Sequence, residues 1–177
     1  IALAISAVML LPTALSLVDT SAAGDAWPSD MRINFDAFDF MSRGLMNMSP
    51  DIRSGLPNIY VGILAFIFLP LYVFSNKIGN GEKISHLALL GFLYISFNNN
   101  FLDFFWHGMH YPNQLPYRYA FLFSFVLLLI MFRTLTVIRE YSAKTLMMIS
   151  AGAILFVVLA EKLNDNVSRE NAFINIL

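Results

Sequence analysis

The sequence predicts an all-α membrane protein of polytopic transmembrane helices, about five spans, with an outer amphipathic helix and extracytoplasmic loops. Three observations predict it. Hydrophobic residues make up 58% of the 177-residue chain and charged residues only 13%, against about 25% charged in an ordinary soluble domain, and the mean hydropathy is +0.64. Apolar runs near the roughly 20 residues needed to cross a hydrocarbon core recur along the chain. Basic residues are dense in two short loops and sparse elsewhere. The net charge of −1 argues against a nucleic-acid partner, which requires a basic face. Cysteine is absent, which excludes disulfides, thiolate metal sites and cysteine nucleophiles.

In chain order, the first span is IALAISAVMLLPTALSLV (1–18), without charge. Because the chain opens on Ile1 inside an apolar run, residues 1–177 are expected to be a single fragment of a larger polytopic membrane domain. A loop follows over 19–55. Within it, Phe35, Phe38, Met41, Leu45 and Met48 recur at spacings of three and four, the helical period. An amphipathic helix is therefore predicted over 33–48. It lies either on the outer membrane surface or across the outer ends of the spans, with Asp30 or Asn34 as its cap. The second span is 56–75 and the third 84–101. A loop over 102–118 leads to the fourth span, 119–138, and the fifth is 145–160. Pro12 and Pro70 sit inside spans, where they are tolerated.

Orientation follows from lysine and arginine. The loops 76–83 and 133–144 carry five basic residues in 20 positions, and the other connections carry six in 71. The dense loops are expected to be cytoplasmic, which puts 19–55, 102–118 and 161–177 on the outer side.

The outer loop FLDFFWHGMHYPNQLPYRYAF (101–121) holds the densest polar and aromatic chemistry. Interface physics accounts for part of it, since amphipathic rings favour the membrane–water boundary; Phe104, Phe105, Tyr111 and Tyr119 are assigned mostly to that role. Arg118 directly precedes the fourth span, and its planar fork suits a phosphate. A competing reading pairs it with Asp103. His107 offers acid or base chemistry, or a structural hydrogen bond. His107 and His110 are spaced for one helical face, but Gly108 and Pro112 disfavour a helix there, so no metal site is assigned. Asn98, Asn99 and Asn100 either bond a sugar or cap a helix. A second cluster, GLPNIYVG (55–62), contributes Asn58, a ligand donor or an N-cap, and Tyr60 near the outer interface. No Gly-rich phosphate loop, serine triad or zinc signature is present. Any chemistry should lie outside, where a lipid-carried activated substrate is the sensible energy source.

LLPT (10–13), FDAFDFMSRGL (35–45), GLPNIYVG (55–62), WHG (106–108) and PNQLPYRYAFLFSF (112–125) together resemble the bacterial YfhO family of large membrane proteins in order and spacing. The resemblance covers nearly the whole chain and weakens after about residue 140. It implies a glycosyltransferase-C-like fold with an outward-facing site, taking a sugar from a polyprenyl-phosphate carrier to a cell-surface polymer such as a teichoic acid. Asn58, Tyr60, His107, Asn113, Tyr117 and Arg118 are carried over as substrate-binding residues. The catalytic acid is expected outside this fragment, and no cofactor or metal is assigned. The expected partners are the lipid bilayer, the carrier-linked sugar and the polymer acceptor, in a multi-pass protein of the bacterial cell membrane. The competing classes are a transporter or lipid flippase, for which ionisable residues inside spans would speak, and a non-catalytic membrane subunit. ISAGAI (149–154) is a modest small-residue hint of the latter.

Overall fold

The computed structural model describes residues 2–19, 25–112 and 114–177. Among them the fold is all-helical: α1 Ala2–Val18, α2 Ala37–Ser42, α3 Ile63–Phe74, α4 Asn80–Asn98, α5 Asn100–Trp106, α6 Ala120–Leu135, α7 Ala143–Leu163 and α8 Arg169–Ile176. The extended backbone forms one isolated bridge, Ile33 to Asn99. Helices α3 and α6 form the central pair; α4 flanks α6 and α7 flanks α3. Lys77, just after α3, pairs with Glu140, just after α6, at 3.4 Å, and the Tyr141 hydroxyl donates to the Leu71 carbonyl at 2.8 Å. The two basic loops therefore share one end of the bundle. Segments 25–62, 99–119 and 164–177 gather at the other.

One helix among the described residues, α7, is both long and apolar enough to cross a membrane. The other expected spans are realised differently. In 56–75 the helix starts only at Ile63 and has 12 residues, a length of about 18 Å. Pro57 and Gly62, whose φ is +92°, keep the preceding chain out of the helical basin. In 84–101 the helix begins at Asn80 and stops at Asn98, because Asn99 takes extended angles and caps α5 with its side chain. The fourth helix ends at Leu135, and the fifth is longer than expected. Helix α1 is apolar and its described side chains from Ala7 onward are exposed: Val8, Met9, Leu11, Leu15 and Val18 each keep more than 60% of their surface. An apolar helix without a protein cover needs lipid or another helix around it.

The helix expected over 33–48 is confined to 37–42. Its cap is Asp36, whose Oδ1 accepts from the Asp39 amide at 2.8 Å, not Asp30 or Asn34. Residues 33–35 are held extended against the end of α4. After Ser42 the backbone turns beneath Phe66: a Cβ on Gly44 would lie 2.0 Å from that ring. The apolar positions face inward. Phe35 and Phe40 join the main core, and Leu45 joins Val157, Ala160, Val167 and Ala172, with Phe38 and Met48 packed alongside. The segment thus lies across the helix ends.

The core is aromatic at this end. Phe40 meets Tyr94, Phe97 and Phe123, and Phe97 stacks on Tyr119 with centroids 4.8 Å apart. Such pairs contribute about 0.5–1.5 kcal/mol each beyond burial.

Candidate functional site

A strap, residues 25–36, crosses the α4–α5 junction and is clipped there by asparagines. Asn98 Oδ1 accepts from the Phe35 amide at 2.9 Å. Asn100 accepts from the Arg32 amide at 2.9 Å and donates to the Asp30 carbonyl at 2.8 Å. Asn99 Oδ1 accepts from the amides of Phe101 and Leu102. These asparagines serve the backbone, the structural one of the two roles anticipated. The Tyr111 amide donates to Asp25 at 2.7 Å and ties down the strap's beginning.

Asn58 holds a loop. Its Oδ1 accepts from Arg43 Nη2 and from the Asp51 amide, both at 3.1 Å, and its Nδ2 donates to the Asp51 carbonyl. The α3 N-cap is Gly62, not Asn58. Arg43 is buried, bonds the Ser49 carbonyl at 2.8 Å and pairs with Asp51 at 3.3 Å. Sequence reasoning missed this Arg43–Asp51–Asn58 lock. Its signal was an arginine within the predicted amphipathic helix, whose charge needs a partner wherever it is buried.

His107 is 7% exposed. Its Nδ1 lies 2.8 Å from the Asp103 carbonyl and 3.4 Å from the Asp103 carboxylate, and its buried Nε2 has no partner among the described residues. Burial is the largest single influence on its pKa and lowers it. The hydrogen bonds and charge of Asp103 together outweigh burial and the repulsion from Arg118, so the imidazole titrates above its ordinary range. Asp103 also accepts from the Tyr119 hydroxyl at 3.0 Å. This Asp103–His107–Tyr119 network replaces the anticipated Asp103–Arg118 pair. In the neutral imidazole, an Nδ1–H directed at Asp103 would leave Nε2 as the acceptor; in the protonated form both nitrogens donate. Tyr117 is a core residue: it is 7% exposed, packs edge-on against Phe35 and Phe97, and its hydroxyl pKa is pushed up to about 12 by burial and by the charge of Asp103. Phe104 and Tyr119 are likewise buried, whereas Phe105 and Tyr111 are exposed.

Arg118 is exposed. Its guanidinium donates only to the Gln114 carbonyl, at 3.3 Å, and forms no ion pair among the described residues. Tyr60 is 47% exposed. Asn113 lies outside the described residues. The loops carrying Asn58 and Arg118 touch where the Leu115 amide donates to the Ile52 carbonyl. Arg118 also lies close enough to His107 for its charge to act there. The five of the six anticipated residues that are described thus share one end of the bundle, but two of them, Asn58 and Tyr117, are occupied in holding it together. Ring centroids of His107 and His110 are 6.4 Å apart, and no group of three potential metal ligands occurs among the described residues.

An all-helical bundle with a membrane-length apolar helix and a polar, aromatic cap defines a helical membrane protein. The family described as bacterial membrane protein YfhO matches residues 1–177, and the chain belongs to that family. Neither the curated proteins nor the solved structures returned a match.

Proposed function

We propose that this chain is part of a membrane glycosyltransferase that moves a sugar from a polyprenyl-phosphate carrier to an extracytoplasmic acceptor, such as a teichoic acid or another cell-surface polymer. The observation that carries the reading is Arg118. A guanidinium without a carboxylate partner stands exposed at the start of an apolar helix, where a headgroup phosphate would lie and where a bidentate charge-assisted contact is available. The leaving carrier phosphate gains charge as the sugar departs, and a cation held there stabilises it. Tyr60 stands exposed at the same end of the bundle, and His107 lies close enough to Arg118 for the guanidinium's charge to act on it.

In this reading the protein is a multi-pass component of the bacterial cell membrane, with α1, α3, α4, α6 and α7 as its five spans and the cap outside. The short α3 is extended outward by the buried non-helical residues Pro57 and Ile59, and non-helical backbone at membrane depth is tolerated where protein covers it.

A second reading, transport or lipid flipping, has its own observation. The Tyr72 hydroxyl lies 2.6 Å from His86 Nδ1 between α3 and α4, and Arg133 Nε pairs with Glu82 at 2.8 Å near the opposite end from the cap. Ionisable groups between spans mark ion paths, although here each has a protein partner. A non-catalytic membrane subunit remains the bland reading. Membranes carrying the intact protein and supplied with labelled polyprenyl-phosphate sugars separate the three. Label entering a polymer with release of carrier phosphate supports transfer. Label crossing the bilayer unchanged supports flipping, and neither event supports the subunit.

A further inference from the structure

A cavity of about 360 Å³ lies under the strap at the cap end and is unused by the reading above. It is lined mainly by Pro28, Asp30, Arg32, Asn34, Asn100 and Tyr111. Its walls are fixed by the Asn100 clip on Arg32 and Asp30 and by the Asp25 bond to Tyr111. Asn34 and Asn100 are used to hold the strap, but three other polar side chains of the lining, those of Asp30, Arg32 and Tyr111, are little used by the protein. The Arg32 guanidinium and the Tyr111 hydroxyl have no hydrogen bond or ion pair among the described residues, and the Asp30 carboxylate accepts only from Ser29 Oγ, at 3.3 Å. Asp30 and Arg32 carry opposite charges two residues apart on one cavity, yet they do not pair. Tyr111 keeps 49% of its surface exposed, and its ring is backed by Phe104 at 4.9 Å, itself braced by Trp27 at 5.3 Å. The result is a half-open aromatic platform beside one strong acceptor and one strong donor, with no net charge.

Sugar chemistry meets each of these features. Hydroxyls donate to a carboxylate and accept from a guanidinium or phenol, and the C–H face of a pyranose lies on an aromatic ring. Small-ligand sites combine apolar walls with a few placed polar groups in this way. A phosphate would face the Asp30 carboxylate, so the cavity favours a neutral ligand. We propose that it binds a neutral hexose unit, and its source, the acceptor polymer or the carrier-borne sugar, rests on the transfer reading given above.

Saturation-transfer NMR on the intact protein in lipid nanodiscs tests the site, with methyl glycosides of glucose, galactose and N-acetylglucosamine as probes. Wild type should transfer saturation to the ring protons of at least one glycoside. Tyr111→Ala should abolish it, Tyr111→Phe should keep it, and Asp30→Asn should weaken binding about tenfold, the loss of one charge-assisted hydrogen bond. Neither Tyr111 nor Asp30 holds the strap through its side chain, so the fold should survive each change. No transfer to any of the three probes, or a wild-type signal in both Tyr111→Ala and Asp30→Asn, overturns the proposal. In the transfer assay, a raised KM for the acceptor alone assigns the cavity to the polymer, and a raised KM for the carrier alone assigns it to the donor sugar. Glycoside binding without sugar transfer upholds the cavity and removes the transferase; transfer without glycoside binding does the reverse.

Discussion

His107 and Arg43 are both buried polar residues at the cap, and they make opposite demands. Arg43 Nη2 bonds Ser49, Asp51 and Asn58, while its buried Nε has no partner among the described residues. Arg43→Ala leaves Asp51 without its counter-ion and should cost about 3 kcal/mol, read as a lower unfolding midpoint and faster proteolysis of 49–58. His107 titrates above its ordinary range, so the protonated form is favoured in the folded state. Its contribution is full below the unfolded value of about 6.5 and is lost as pH rises through the folded pKa. Wild type should therefore lose thermal stability on going from mildly acid to mildly alkaline pH, and His107→Gln should flatten that part of the profile. An unchanged profile in the variant would show that His107 does not govern it. The residue types of the cap were legible in the sequence, whereas their partners were not. Asn58 meets Arg43 fifteen residues away, and Tyr119 meets Asp103 sixteen away, and only the tertiary fold brings such pairs together.

At the scale of elements, two junctions set where helices stop. Gly44→Ala would drive a Cβ into the Phe66 ring; moving that ring should cost about 1–3 kcal/mol, measurable as a lower midpoint in detergent. Asn98→Ala removes the acceptor of the Phe35 amide and should release the strap. A loss of about 1–2 kcal/mol would speed hydrogen exchange at Phe35 several-fold or more, and unchanged exchange would mean that the remaining bonds of Asn34 and Asn100 and the Ile33–Asn99 bridge hold the strap without Asn98. The all-helical class followed from apolar runs and composition. The lengths did not, because hydropathy reads composition and the helix ends here are decided by contacts: Gly62 and Pro57 delay α3, and Asn99 splits α4 from α5. The period through 33–48 correctly marked an inward apolar face, but only six of its residues are helical, since the flanks bond across the bundle instead.

For the whole molecule, the proposed reading has the aromatic and asparagine-rich cap outside and the Lys77–Glu140 end inside. Cysteine is absent from these 177 residues, so single additions here, in a protein whose other cysteines, where present, are replaced, make that testable. Ser29→Cys should react with an impermeant maleimide in intact cells, and Asn76→Cys only after permeabilisation; the reverse pattern would invert the protein. The central claim concerns Arg118. The most direct measurement is transfer from a labelled polyprenyl-phosphate sugar by the intact protein, comparing wild type with Arg118→Lys and Arg118→Ala at matched levels in membranes. The account predicts that the alanine variant loses about a hundredfold or more in kcat/KM, of the order seen when a donor to developing charge is removed, with partial recovery in lysine. Transfer at the wild-type rate in Arg118→Ala would contradict it.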